Sequence, residues 1–202
     1  MAEDSPLHSK VLAAVKPLFP DKEFNVWTSA EGDLDGDGIK DIAVVITASP
    51  ENGSREERLV VLTGNPDKNY SILAISGEFC GVQKFYNLNM DKNSLYVEGV
   101  SGVDHNAYSS FTLQFRYNAA LKDLELIGKT ELNEEYGKSY YKVSVNYLNK
   151  TIIHSRKEKN RYKEAKIQMN NPKLFRLQGF DCLTSESMES HHYIDEKFSV
   201  KK

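Results

Sequence analysis

The chain has 202 residues and 40% hydrophobic content, enough to bury one sizeable core, and reads most simply as a single domain. Its 26 lysines and arginines against 29 aspartates and glutamates leave a net charge of −3, so there is no global basic field of the kind that nucleic-acid binding uses. No apolar run approaches the length that crosses a bilayer as a helix, so no membrane span is expected.

Met1-Ala2-Glu3-Asp4-Ser5-Pro6 reads as an initiator placed before the mature N-terminus of an exported protein, which predicts a periplasmic or secreted location. Ser5 is placed to cap a helix with Pro6 at its first position. Leu7, Val11, Leu12 and Val15 then recur at helical spacing until Pro17 and Pro20 stop it. Residues 1–22 are thus expected to form one amphipathic helix packed on the body.

From Glu23 the period changes to that of strands. They are expected around Phe24–Trp27, Ile42–Thr47, Leu59–Thr63, Tyr70–Ile75, Leu95–Val100, Ser109–Tyr117, Leu124–Ile127, Tyr140–Tyr147, Thr151–His154 and Ala165–Met169. Turn chemistry separates them, as in Asn65-Pro66-Asp67 and Asp91-Lys92-Asn93. Phe111-Thr112-Leu113-Gln114-Phe115 alternates, which predicts one core face and one wet face. The fold class is therefore mainly β, antiparallel sheets with hairpins in a partial-propeller or sandwich-like arrangement, plus the N-terminal helix. Residues 23–184 form the β domain and 185–202 a polar C-terminal tail.

Between the first two strands lies Gly32-Asp33-Leu34-Asp35-Gly36-Asp37-Gly38-Ile39-Lys40-Asp41. Asp33, Asp35 and Asp37 occupy loop positions one, three and five, Gly38 supplies the bend at six, Ile39 offers its carbonyl at seven, and Asp41 closes at nine. Four carboxylates this close repel one another unless a cation sits among them, and many flexible oxygens suit Ca²⁺ better than Mg²⁺. Position twelve is Val44, inside the apolar run Ile42-Ala43-Val44-Val45-Ile46, where an EF-hand would carry glutamate and a helix. A loop of the form Asp-x-Asp-x-Asp-Gly-x-x-Asp running into a buried strand resembles the FG-GAP and VCBS-type repeats of integrin-like propeller blades and of many bacterial exported proteins. The resemblance covers roughly residues 25–65. It implies a strand-loop-strand unit pinned by a structural Ca²⁺, with Asp33, Asp35, Asp37 and Asp41 as side-chain ligands. Asn87-Leu88-Asn89-Met90-Asp91-Lys92-Asn93, 54 residues further on, reads as a hairpin turn, or as a decayed copy of the loop without glycine at six or acid at nine.

Other groups carry weaker signals. Cys80 and Cys182 are compatible with one long-range disulfide or with two thiols. Asn52-Gly53-Ser54 and Asn149-Lys150-Thr151 fit the glycan acceptor pattern. The segment Arg156–Lys166 holds six cationic side chains against Glu158 and Glu164, with Tyr162 among them, and reads as a solvated strand pair or loop. None of the five histidines, His8, His105, His154, His191 and His192, has a metal-binding spacing. Asp104-His105 near Ser109 and Ser110 lacks the Gly-x-Ser-x-Gly elbow of a hydrolase. The expected function is thus an exported, calcium-stabilised, non-catalytic binding protein that recognises a protein partner, such as a secreted toxic enzyme that it inhibits. The alternatives are a carbohydrate- or envelope-binding module using its tyrosines and Trp27, and a metal-dependent hydrolase.

Overall fold

The computed structural model describes residues 6–48, 56–79, 85–101, 107–135, 138–159 and 161–181. Helix α1 (Pro6–Val15) passes into one 3-10 turn (Lys16–Leu18) around Pro17, as the prolines require. Eleven strands follow in two antiparallel sheets. Strands β1 (Asn25–Gly32), β2 (Asp41–Ala48), β3 (Glu56–Gly64) and β4 (Tyr70–Ile75) form a four-stranded sheet in chain order. The larger sheet is a meander of β5 (Phe85–Asp91), β6 (Ser94–Ser101), β7 (Ala107–Asn118), β8 (Asp123–Glu135), β9 (Ser139–Asn146), β10 (Thr151–Glu158) and β11 (Arg161–Gln168).

The layering is helix, small sheet, large sheet, and β2 shows why. Ile42, Val44 and Ile46 point to α1 and pack with Val11, Val15, Val60 and Leu62. Ala43 and Val45 point the other way, into a second cluster with Leu59, Val61, Leu95, Val97, Leu113, Phe115, Leu124 and Leu126. An unbroken apolar run is what a strand covered on both faces needs. The arrangement is a sandwich-like β fold.

Three differences from the expected strands have physical causes. The segment 87–93 is not a loop copy: Asn87–Asp91 belongs to β5, which pairs with β6 through a turn where Lys92 takes φ +52°. Its inward side chains, Tyr86 and Leu88, are buried, while Asn87 and Asn89 face water. Strand β8 runs to Glu135, well beyond the expected Ile127, and β10 and β11 extend through the basic segment, which is a strand pair, the first of its two expected readings. Beyond Gly128 the large sheet outgrows the small one, so its strands lose the apolar alternation that marks a half-buried strand. Cys80, Cys182, His105, His191, His192 and Asn52-Gly53-Ser54 lie outside the described residues.

The sheets are joined at their sides. Gly32 of β1 lies against Met90 of β5 so closely that a Cβ would sit 2.6 Å from Met90 Cβ. On the opposite side, residues 174–180 run between β4 and β8. Leu177 N–H donates to Leu124 O (2.8 Å), Leu126 N–H to Phe175 O (2.8 Å) and Gly179 N–H to Ile75 O (2.9 Å).

Candidate metal loop and its surroundings

Residues 33–40 connect β1 to β2, and their conformation is written by two glycines and three aspartates. Gly36 and Gly38 adopt φ +83° and +84°, the left-handed region that costs a side chain but not glycine. Each aspartate then turns back on the loop's own amides. Asp33 accepts from Gly36 N (2.8 Å) and Gly38 N (3.0 Å), Asp35 from Asp37 N (3.2 Å), and Asp37 from Ile39 N (2.7 Å). These are Asx-type turns, in which a short acidic side chain stands in for a backbone acceptor.

The result brings carboxylate oxygens of Asp33, Asp35 and Asp37 within 4.8 Å of one another. Among the described residues, no lysine or arginine forms an ion pair with any of the three. Three hard oxygen donors of like charge on flexible short stems suit a hard cation such as Ca²⁺, whose ligands are carboxylate and carbonyl oxygens.

Asp41 is placed differently. It is 1% exposed, and its carboxylate accepts from Leu34 N (2.7 Å) and from Gly64 N at the end of β3 (3.0 Å). Burial pushes its carboxyl above the usual range, and the charge of Asp35 pushes the same way, against the backbone donors that lower it. Ile39 lies at the same junction: a Cβ on Gly64 would meet its Cγ2 at 2.7 Å and Lys40 O at 2.4 Å. Leu34, at loop position two, is fully buried in the inter-sheet cluster. The loop is thus fixed to the body by Leu34, Ile39 and Asp41, while Asp33, Asp35 and Asp37 gather at its turn.

The β5–β6 turn and the end of β7 border this loop. A Cβ on Gly36 would lie 3.9 Å from Asn93 Nδ2, and Asn93 O accepts from Tyr117 N–H. Burial raises the Tyr117 hydroxyl's pKa, and the charges of Asp35 and Asp41 add to the effect. The hairpin turn that the sequence reads here, with a decayed loop copy as the alternative, is therefore a neighbour of the first loop.

Trp27 is part of the interior. It sits at a register shift in β1, is half-buried, and packs edge-on against Tyr86 at 6.1 Å. That packing leaves the ring only partly exposed.

Sequence reasoning missed one buried polar pair. His154 on β10 is 1% exposed, its ring stacks on Tyr141 of β9, and its Nδ1 shares a 2.7 Å hydrogen bond with the Tyr141 hydroxyl. Burial lowers the His154 pKa; burial first, and then the charge of Glu131, pushes Tyr141 up to about 12. Tyr141 and His154 are thirteen residues apart and meet only through the β9–β10 register. A histidine held neutral in the fold but free to charge when unfolded contributes stability that is complete above its ordinary value of 6.5. That stability is lost as pH falls below 6.5. Thermal midpoints measured from pH 7 to 5 are expected to fall, with a shallower fall for His154→Gln.

Compared with protein-family models, with curated proteins and with solved structures, the chain has no match.

Proposed function

We propose that this chain is a calcium-stabilised, non-catalytic recognition protein working in an exported, calcium-rich compartment, with its loop an FG-GAP-like cation site. The observation that carries the reading is the convergence of Asp33, Asp35 and Asp37 oxygens within 4.8 Å on a hairpin that is otherwise locked into the core. A cation there relieves the repulsion of three carboxylates and ties the loop down, which is a structural role. The Ile39 carbonyl and Asp41 are the further ligands that the loop pattern assigns.

The absence of catalysis is supported by what the perturbed groups do. Asp41 holds two backbone donors, Asp123 accepts from Leu124 N (2.7 Å), and Tyr141 bonds His154. Each is committed to a structural bond on a different part of the fold. The partner we name is a protein, and a secreted toxic enzyme that this chain inhibits is the specific class. Support comes from the end of the large sheet, which carries exposed tyrosine and lysine side chains outside both cores.

Adding Ca²⁺ back to chelated protein tests the loop. Saturating Ca²⁺ at about 100 times its Kd stabilises by about 2.7 kcal/mol, a rise of roughly 5–10 °C for a chain of this size. Asp37→Ala abolishes the rise, and Mg²⁺ gives a much smaller one. No calorimetric heat and no shift would leave the loop as a turn and remove the proposal's main support. Hydrolytic turnover abolished by Asp35→Ala at unchanged folded population would replace it with metal-dependent hydrolysis.

A further inference from the structure

The hairpin β10–β11 packs on the body only at its start, where Ile152, His154 and Ser155 of β10 are buried. Six of the eight residues of β11 are exposed, and neither core cluster contains a described residue of β10 or β11. Yet β11 pairs with β10 over its whole length without a register shift, and β10 pairs with β9 in the same way. From Arg156 to Glu164 every described residue is exposed, so this end of the pair adds little to either core and its side chains are open to a partner.

Its surface is organised. Lys157 pairs in register with Tyr140 on one side and Tyr162 on the other, which puts the three side chains in one row across three strands. Tyr162 is 57% exposed, the most exposed aromatic among the described residues. Behind Tyr140 the row opens into a groove of about 420 Å³ lined by Glu134, Glu135, Lys138, Ser139, Lys157 and Lys159. Lys159 N–H donates to Lys138 O (3.0 Å), so Lys138, before β9, and Lys159, after β10, meet at one tip of the sheet.

The same face carries cations without carboxylate partners, as other parts of the described chain do. Lys22, Lys40, Arg58, Lys129, Lys138 and Arg156 all have carboxylate partners. Among the described residues, Lys157 and Lys166, on the face of Tyr140 and Tyr162, and Lys159 at the end of β10 have none. These unpaired cations lie within ten residues of a chain whose net charge is −3. Lysines on an edge strand do guard against aggregation, but that purpose is opposed by a largely exposed tyrosine in the same strand. Tyrosine beside unpaired cations is instead the composition of a recognition surface.

We propose that the outer face and tip of β9–β11 are the docking surface for a protein partner that presents an acidic segment, with Tyr140 and Tyr162 as anchors around Lys157. The proposal rests on the recognition reading above and gives it a location. A polypeptide suits this surface better than a nucleic acid, because Glu134 and Glu164 interrupt the cations and Glu164 holds the Tyr162 hydroxyl at 2.6 Å. A continuous phosphate backbone would run over those carboxylates, whereas a protein can place its own acids between them.

The test measures binding of a fluorescent oligo-glutamate peptide at low salt, beside a heparin oligosaccharide, a single-stranded oligonucleotide and phosphatidylserine vesicles. The peptide is expected to bind, and Lys157→Glu with Lys166→Glu weakens it by at least about tenfold while flattening its salt dependence. Tyr162→Ala weakens it at every salt concentration, and Lys92→Glu, in the β5–β6 turn, leaves it unchanged. All these side chains are exposed, so the melting temperature should hold and loss of fold is separable from loss of binding. No peptide binding, binding indifferent to the charge reversal, or stronger binding of the oligonucleotide, heparin or vesicles would overturn the proposal. A stoichiometric complex with an effector enzyme that survives the charge reversal would sink this surface while leaving the recognition reading in place.

Discussion

Asp41→Ala is expected to destabilise the protein by about 2–5 kcal/mol, whether or not Ca²⁺ is present. The change leaves the amides of Leu34 and Gly64 without the acceptors they have in the fold, at a site where Asp41 is 1% exposed. Each orphaned buried donor costs about 1–3 kcal/mol. Removing a carboxylate that burial already disfavours returns part of that cost, which is why the expected range stops short of the full sum of about 6 kcal/mol. Asp41→Asn keeps one acceptor but turns an N–H₂ toward the other amide, so it should fall between wild type and alanine. Urea unfolding in chelator and in Ca²⁺ gives the measurement. A loss that appears only in Ca²⁺ would make Asp41 chiefly a ligand, whereas an equal loss in both makes it the clamp between loop and sheet.

The contrast between Asp41 and the other three aspartates shows where sequence reading reaches its limit. The periodic acids and glycines of residues 33–41 announced a turn with converging carboxylates, because both properties are local: Gly36 and Gly38 supply the positive φ, and each aspartate bonds an amide two to five residues on. The partner of Asp41 at Gly64 is 23 residues away and depends on β2 pairing with β3. That pairing was legible in outline, because β2 and β3 are apolar on both faces, but its register was not. In β5 the alternation of Tyr86, Leu88 and Met90 with Asn87 and Asn89 was present, yet asparagine and aspartate weigh toward turns in any local reading. Where the large sheet extends past its cover, from Gly128 onward, the alternation itself fades. His154 and Tyr141 could be found only after the β9–β10 register was known.

Phe180→Ala should be the costliest single change outside the loop, at about 3–5 kcal/mol, lowering the melting midpoint by roughly 10 °C. No strand was expected after Met169, and residues 174–180 form none beyond an isolated bridge between Glu125 and Arg176, yet they close the side of the sandwich. The Phe180 ring, 4% exposed, meets Phe115 edge-on at 5.4 Å, Phe79 at 6.1 Å and Phe175 at 6.4 Å, so its removal empties a space bordered by both sheets. Phe180→Leu refills much of that volume and should recover more than half of the loss. The backbone bonds to Leu124, Leu126 and Ile75 depend on the same seating, so the alanine variant should also expose the segment to proteolysis under conditions where wild type resists. A melting shift below about 2 °C would mean that the sheets hold each other without this strap. The large sheet's inner face would then have to be closed chiefly by β5 against β1, where Met90 and Gly32 already leave no space between the layers.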